Sequence, residues 1–262
     1  MKSPVNSKKL GLALILTAAV AAKGQNVVSW NFDVYGTLSP ANTAGAVSAA
    51  NWNDSYTIDG NALNATENNL MDNSGAATTV SLTELGYNNS WNRYQISTSS
   101  PGQDTDGSYT RKLLNGYINK GATETSSGGL TAGHAGVLLS GITYSVYDIY
   151  VYFSADTAGR AGTITIGGTT YDYSSLGAAA TSGSNASLIQ TTDTTGANPG
   201  ADYAVFTGLT GSSQTIDSYV SQWGGIAGVQ IVAEPTPEPG TLALAGLGGA
   251  LLLRQLRRKA NS

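Results

Sequence analysis

Two tryptophans stand among asparagines, Trp52 in "NWND" and Trp91 in "NNSWNR". An indole face stacks on the apolar face of a sugar ring, and neighbouring Asn, Asp and Tyr can bind its hydroxyls. Trp223, in "SQWGG", offers the same chemistry with fewer polar neighbours. These three are the candidate glycan-binding residues; side chains of this size also fill or cap the core of a sandwich. Asp104 and Asp106 precede Gly107 in "PGQDTDGSY". Two carboxylates on a glycine turn can share calcium, although a full calcium loop would add further oxygen ligands. A plain acidic turn is the other reading, and no other cofactor is expected. His134, in "TAGHAGV", could act as a general base, but no Gly-x-Ser-x-Gly nucleophile turn accompanies it. Its first reading is an ordinary loop residue.

Composition narrows the chemistry further. The chain has no Cys and one His, which removes thiol catalysis, zinc–thiolate centres, redox switching and multi-histidine metal clusters. Residues 25–234 hold five Lys or Arg against sixteen Asp or Glu, a net charge of −11. So acidic a body disfavours nucleic acid and anionic lipid as partners. Its carboxylates are plentiful enough to supply a glycosidase pair, but no local spacing singles one out. Without disulfides, a secreted domain must hold together by burial, and about two hundred residues suffice for a sizeable core.

The ends differ from the body. Lys2, Lys8 and Lys9 precede an apolar run from Leu10 to Ala22, closed by small residues. This predicts a secretory signal peptide over 1–24, cut between Ala21 and Gly24. After the body, residues 234–240 form a proline-rich linker, since three Pro in "PTPEP" cannot join a helix or an interior strand. Residues 241–262 then hold an uncharged stretch, Thr241 to Leu253, and the basic cluster Arg254, Arg257, Arg258 and Lys259. As a transmembrane helix the stretch would span roughly 20 Å, against a hydrocarbon core of about 30 Å. The cations would stay on the cytoplasmic side and stop transfer. So short a span suits a temporary anchor, with the linker held at the outer interface for processing.

Pro237, Glu238 and Pro239, the short apolar helix and the arginine-rich end together resemble the PEP-CTERM sorting signal. The resemblance implies recognition by exosortase, a membrane protease-transpeptidase, after passage through the secretion machinery. It also implies transient residence in the inner membrane of a bacterial host, then a place at the cell surface or outside it.

The body is rich in Gly, Thr, Ser, Asn and Tyr. Short β-branched and aromatic runs are punctuated by Gly, Asn or Asp, a strand-and-turn pattern. "VVSWNFDVY", "TTVSLTEL", "SWNRYQIS", "YSVYDIYVYF", "DYAVFTGL", "SQTIDSYV" and "GGIAGVQIVAE" read as strands, with "GYNN" as a turn. In "YSVYDIYVYF", Tyr147, Ile149, Val151 and Phe153 share one face, and Val146, Asp148, Tyr150 and Tyr152 the other. "GTITIGGTTYDY" reads as a hairpin about Gly167-Gly168. "RKLLNGYINKG" predicts a short helix weakened by Gly116, and residues 176–200 read as a long polar loop.

The predicted fold is all-β, a β-sandwich or jelly roll over 25–233, flanked by a signal peptide and a short C-terminal transmembrane helix. "NWN", "YDIYVYF" and "GGIAGVQIV" resemble galactose-binding-type ectodomains, which implies such a sandwich and carbohydrate as a ligand. The expected protein is exported and non-enzymatic, at the cell surface or in the extracellular matrix, with extracellular polysaccharide as a partner. The alternatives are a secreted glycoside-active enzyme on the same scaffold and a permanently anchored structural protein.

Overall fold

A computed structural model describes residues 25–235 apart from 33–37, 39, 55–65, 86–92, 96–108, 115, 119–128 and 178–186. The elements are β1 (Val27–Asn31), β2 (Asn53–Asp54), β3 (Thr66–Glu67), β4 (Ser81–Leu85), β5 (Arg93–Gln95), α1 (Thr110–Leu113), β6 (Gly116–Ile118) and β7 (Ala135–Ser140). They continue with β8 (Tyr147–Ala155), β9 (Ala161–Ile166), β10 (Thr169–Ser175), β11 (Gln190–Thr191), β12 (Gly200–Ala201), β13 (Tyr203–Leu209), β14 (Ser213–Val220) and β15 (Gly224–Ala233). One sheet has the order β11-β13-β8-β15-β1-β2, and the facing sheet β12-β10-β9-β14-β7-β4-β3. β5 and β6 pair separately.

Period-two patterning builds the space between the sheets. Tyr147, Ile149, Val151 and Phe153 of β8 point into the core, where Val28 and Trp30 of β1 and Val229 and Ile231 of β15 join them. The facing sheet sends in Leu82, Val137, Leu139, Ile164, Ile166, Ile216 and Val220. The Tyr173 ring stacks on Phe153 across the gap, with centroids 3.6 Å apart. The predicted face assignment of β8 is therefore what the fold uses, and the body is a β-sandwich. The hairpin about Gly167-Gly168 also forms, with Thr169 opposite Ile166. Gly167 has φ +59°, the left-handed backbone a two-residue turn requires.

β15 is buried on both faces, because the chain around Ala44–Trp52 folds across the outside of its sheet. A polar staple holds it there. The Tyr152 hydroxyl donates to Gln230 Oε1 at 2.5 Å and accepts from the Ala46 amide at 2.7 Å. Gln230 Nε2 donates to the Ser29 hydroxyl and the Val47 carbonyl. Each partner is satisfied, which turns otherwise costly buried polar groups into fixed geometry. Gly45 sits over this staple at φ +94°, where a Cβ would lie 2.5 Å from Gln230 Oε1.

Two local expectations change. The helix expected in "RKLLNGYINKG" is a single turn, Thr110–Leu113; Gly116 opens β6, which pairs with β5. A glycine disfavours helix and the strand partner takes the chain instead. The stretch 187–200 is not free loop. β11 and β12 pair in parallel with β13 and β10, and Asp193 ties the bend by accepting from the Thr195 and Asn198 amides. The "GYNN" turn lies outside the described residues. Among the described residues no helix is long and apolar enough to cross a membrane; 1–24 and 241–262 lie outside them.

Candidate binding surface

The three tryptophans have different places. Trp52 is buried at 4 % exposure among Leu38, Leu113, Leu114 and Tyr152. Its Nε1 donates to the Ala49 carbonyl at 2.9 Å, and its ring meets Tyr152 edge-on. The expectation of a sugar-stacking face at Trp52 is thus corrected: its flanking asparagines look polar in sequence, but Asn53 is itself buried and bonded to the Ser29 and Met71 carbonyls. Trp91 lies outside the described residues, as do Asp104 and Asp106. Trp223 is 50 % exposed.

Trp223 ends the short connection from β14 to β15, and its backbone is at φ +21°. A bulky residue in that region is strained, and such strain gathers at functional sites. The surrounding contacts hold it. The Trp223 carbonyl accepts from the Asp156 amide at 3.2 Å, and the Ser221 amide donates to the Ala161 carbonyl. Arg160 Nε lies 3.3 Å from Asp156 Oδ1, and its Nη1 donates to Gln222 Oε1. An exposed indole thus sits on a rim that also carries a guanidinium, an amide and a carboxylate, all partly exposed or exposed. An apolar platform with planar hydrogen-bonding groups beside it can receive a ligand with both an apolar face and hydroxyls.

Two further clusters escaped local reading. On the outer face of the six-stranded sheet, Tyr150 and Tyr203 stack with centroids 6.2 Å apart and planes 19° from parallel. Partial burial pushes both hydroxyls' pKa up, with Asp148 adding to the effect at Tyr150 and Asp202 at Tyr203, so both remain neutral donors. On the outer face of the other sheet, His134 Nδ1 lies 2.8 Å from Asp217 Oδ1, with the Tyr219 ring 5.3 Å away. His134 is therefore an oriented imidazole rather than an isolated loop residue. Among the described residues, no three His, Cys, Asp or Glu are placed to hold a metal ion.

Asp202, at the start of β13, carries a pH dependence. Burial pushes its carboxyl up to about 6, and only the Ile189 amide opposes this by donating to Oδ2 at 2.9 Å. A raised folded-state value means the native protein holds this proton more tightly than the unfolded chain. Its contribution to stability is therefore greatest below about pH 4 and falls as pH rises to about 6. Asp202→Asn should raise stability at neutral pH by on the order of 2 kcal/mol, with the gain vanishing below about pH 4. Urea melts of both proteins across that range check it; an unchanged difference at all pH values would refute the assignment.

The tail carries its own signature. Residues 235–259 match the family described as the PEP-CTERM protein-sorting motif. The chain carries a PEP-CTERM sorting motif. Pro237, Glu238, Pro239 and the cluster Arg254, Arg257, Arg258 and Lys259 all fall inside the match, and all lie outside the described residues. A PEP-CTERM motif implies export, processing by exosortase and a final place at the surface or beyond. The body is less placed. No curated protein matches the chain. Two solved structures share a partial likeness. The Podospora anserina GH26-CBM35 β-(1,4)-mannanase is 13 % identical, with 56 % of this chain and 26 % of that one covered, at a TM-score of 0.26. A ruminal GH26 endo-β-1,4-mannanase is 13 % identical, with 58 % and 28 % covered, at 0.23. This chain spans about a quarter of the length of those enzymes, and so slight a likeness carries no argument about this sandwich.

Proposed function

We propose that this PEP-CTERM protein is a non-catalytic, glycan-binding domain of the cell surface or extracellular matrix. The sorting motif supports delivery outside the cell. The half-exposed Trp223, held in strained backbone beside Arg160, Gln222 and Asp156, supports sugar binding and carries the reading. With an acidic body, the favoured ligands are neutral extracellular polysaccharides, which suffer no electrostatic repulsion.

The test is affinity electrophoresis and calorimetry of residues 25–233 against a panel of neutral and acidic polysaccharides, with reducing-end release measured in parallel. The expected result is retardation by a neutral glycan, no release, and weakening of roughly tenfold or more in Trp223→Ala, since one stacked aromatic is worth about 1–3 kcal/mol. That variant should melt like the parent, because an exposed side chain contributes within about 0.5 kcal/mol. Unchanged retardation would remove Trp223 from the site, and steady release of reducing ends would favour the glycosidase alternative.

A further inference from the structure

We infer that, while the precursor is held in the membrane, the sandwich stands on the pole where its chain ends emerge and carries the Trp223 rim on the opposite pole, facing outward. β15 joins the two poles. Trp223 immediately precedes its first residue, Gly224, and Ala233 is its last. Ten residues at about 3.3 Å each separate the rim from the exit by roughly 30 Å.

The exit is pinned. The Ala233 amide donates to the Asn26 carbonyl at 2.9 Å, and the Gln25 side-chain amide donates to the Ala233 carbonyl. The Glu234 amide donates to the Val146 carbonyl at 3.1 Å. Ala233 also stands opposite Tyr147 in the sheet. Chain that could act as tether therefore starts only after Glu234. From Glu234 to Thr241, where the apolar stretch begins, is seven residues, a reach of at most about 25 Å. That is shorter than the strand, so the exit pole stays nearer the membrane than the rim pole, which among the described residues carries no chain end. Gln25 and Asn26 leave from the same pole.

Among the described residues, no basic charge fastens that pole down. Its loops, 72–76, 141–146, 167–168 and 207–213, and the exit residues 233–235 carry Asp72 and Glu234 but no Lys or Arg. Among the described residues the linker is what ties the exit pole to the membrane, so cutting it frees the domain. An acidic body lying flat on an anionic leaflet would be repelled from it, which favours the upright pose. The inference needs membrane retention of the precursor and is independent of what the rim binds.

The absence of cysteine makes the pose measurable. Ser212→Cys marks an exposed position on the exit pole and Ala158→Cys one beside the rim; both side chains are exposed. The full-length variants are made in a host lacking exosortase, recovered in the membrane fraction, and labelled on spheroplasts with a bulky polyethylene-glycol maleimide. The expected result is labelling several-fold faster at Ala158→Cys than at Ser212→Cys. The ratio should fall to its intrinsic value in detergent, and also when a long Gly/Ser insert follows Thr236. Equal protection of both sites before and after detergent would overturn the upright pose with anchoring intact. A precursor that leaves the membrane fraction would overturn the anchoring on which the pose rests, whatever the labelling shows.

Discussion

Trp52→Ala should destabilise the sandwich by about 3–5 kcal/mol, the range for removing a large buried aromatic. In a domain of this size that lowers the melting temperature by roughly 6 °C or more. The cost is large because Trp52 lies between two layers. It fills the gap between the outer face of β15 and the covering chain, with Leu38, Ala44, Leu113 and Leu114 around it. A Cβ built on Gly228 of β15 would lie 2.7 Å from Leu113 and 2.9 Å from the Trp30 carbonyl, but in ordinary contact with the indole at 3.6 Å, so the bare backbone admits Leu113, which packs with Trp52. The hydrogen bond from Nε1 to Ala49 is lost as well. Thermal and urea melts of the purified domain give the answer, with Trp223→Ala as the internal comparison. A Trp52→Ala protein that melts like the parent would show that the covering chain does not close over the sheet.

Glu238→Gln should leave the protein uncut, with mature product reduced by about tenfold or more. Between Pro235 and Leu253, Glu238 is the only charged residue. Prolines flank it on both sides, and a residue before proline favours extended backbone. Losing one partner of a desolvated charge pair typically costs about 2–5 kcal/mol, and glutamine keeps the shape while removing the charge. Intact mass across membrane, surface and medium fractions of the native host reads the outcome. The expected species keeps "RQLRRKANS" and stays with the inner membrane. A normal yield of product ending near "PEP" would mean that the enzyme reads the prolines and the tail but not the carboxylate.

What was legible in the sequence follows from the range of the forces involved. Alternation in "YDIYVYF" and the Gly-Gly turn are local, and both elements form as expected. The tail is also local, a linear order of proline, apolar and basic segments that needs no fold to be read. The places of the aromatics are set by contacts distant in sequence. Nothing near Trp52 announces that residues 44–52 will be stapled down by Tyr152 and Gln230, which lie more than a hundred residues later. His134 meets Asp217 across 83 residues, and Tyr150 meets Tyr203 across adjacent strands. The short helix failed for a similar reason, since β5 offers β6 a partner that the local pattern does not display. One signal at Trp223 was available: a large aromatic just ahead of two glycines, between two strands, is a bulky side chain on a tight connection.

The lengths of the edge strands have a consequence for how copies of the domain meet. Each sheet finishes on one side in a strand of two residues, β11 in one and β12 in the other. Where β13 runs on past β11, its ladder slips between Phe206 and Leu209, and Gly208 turns to φ +67°. Such stubs and kinks give an incoming strand too little straight backbone to extend the ladder. At these two edges, addition of a strand from a second copy is disfavoured.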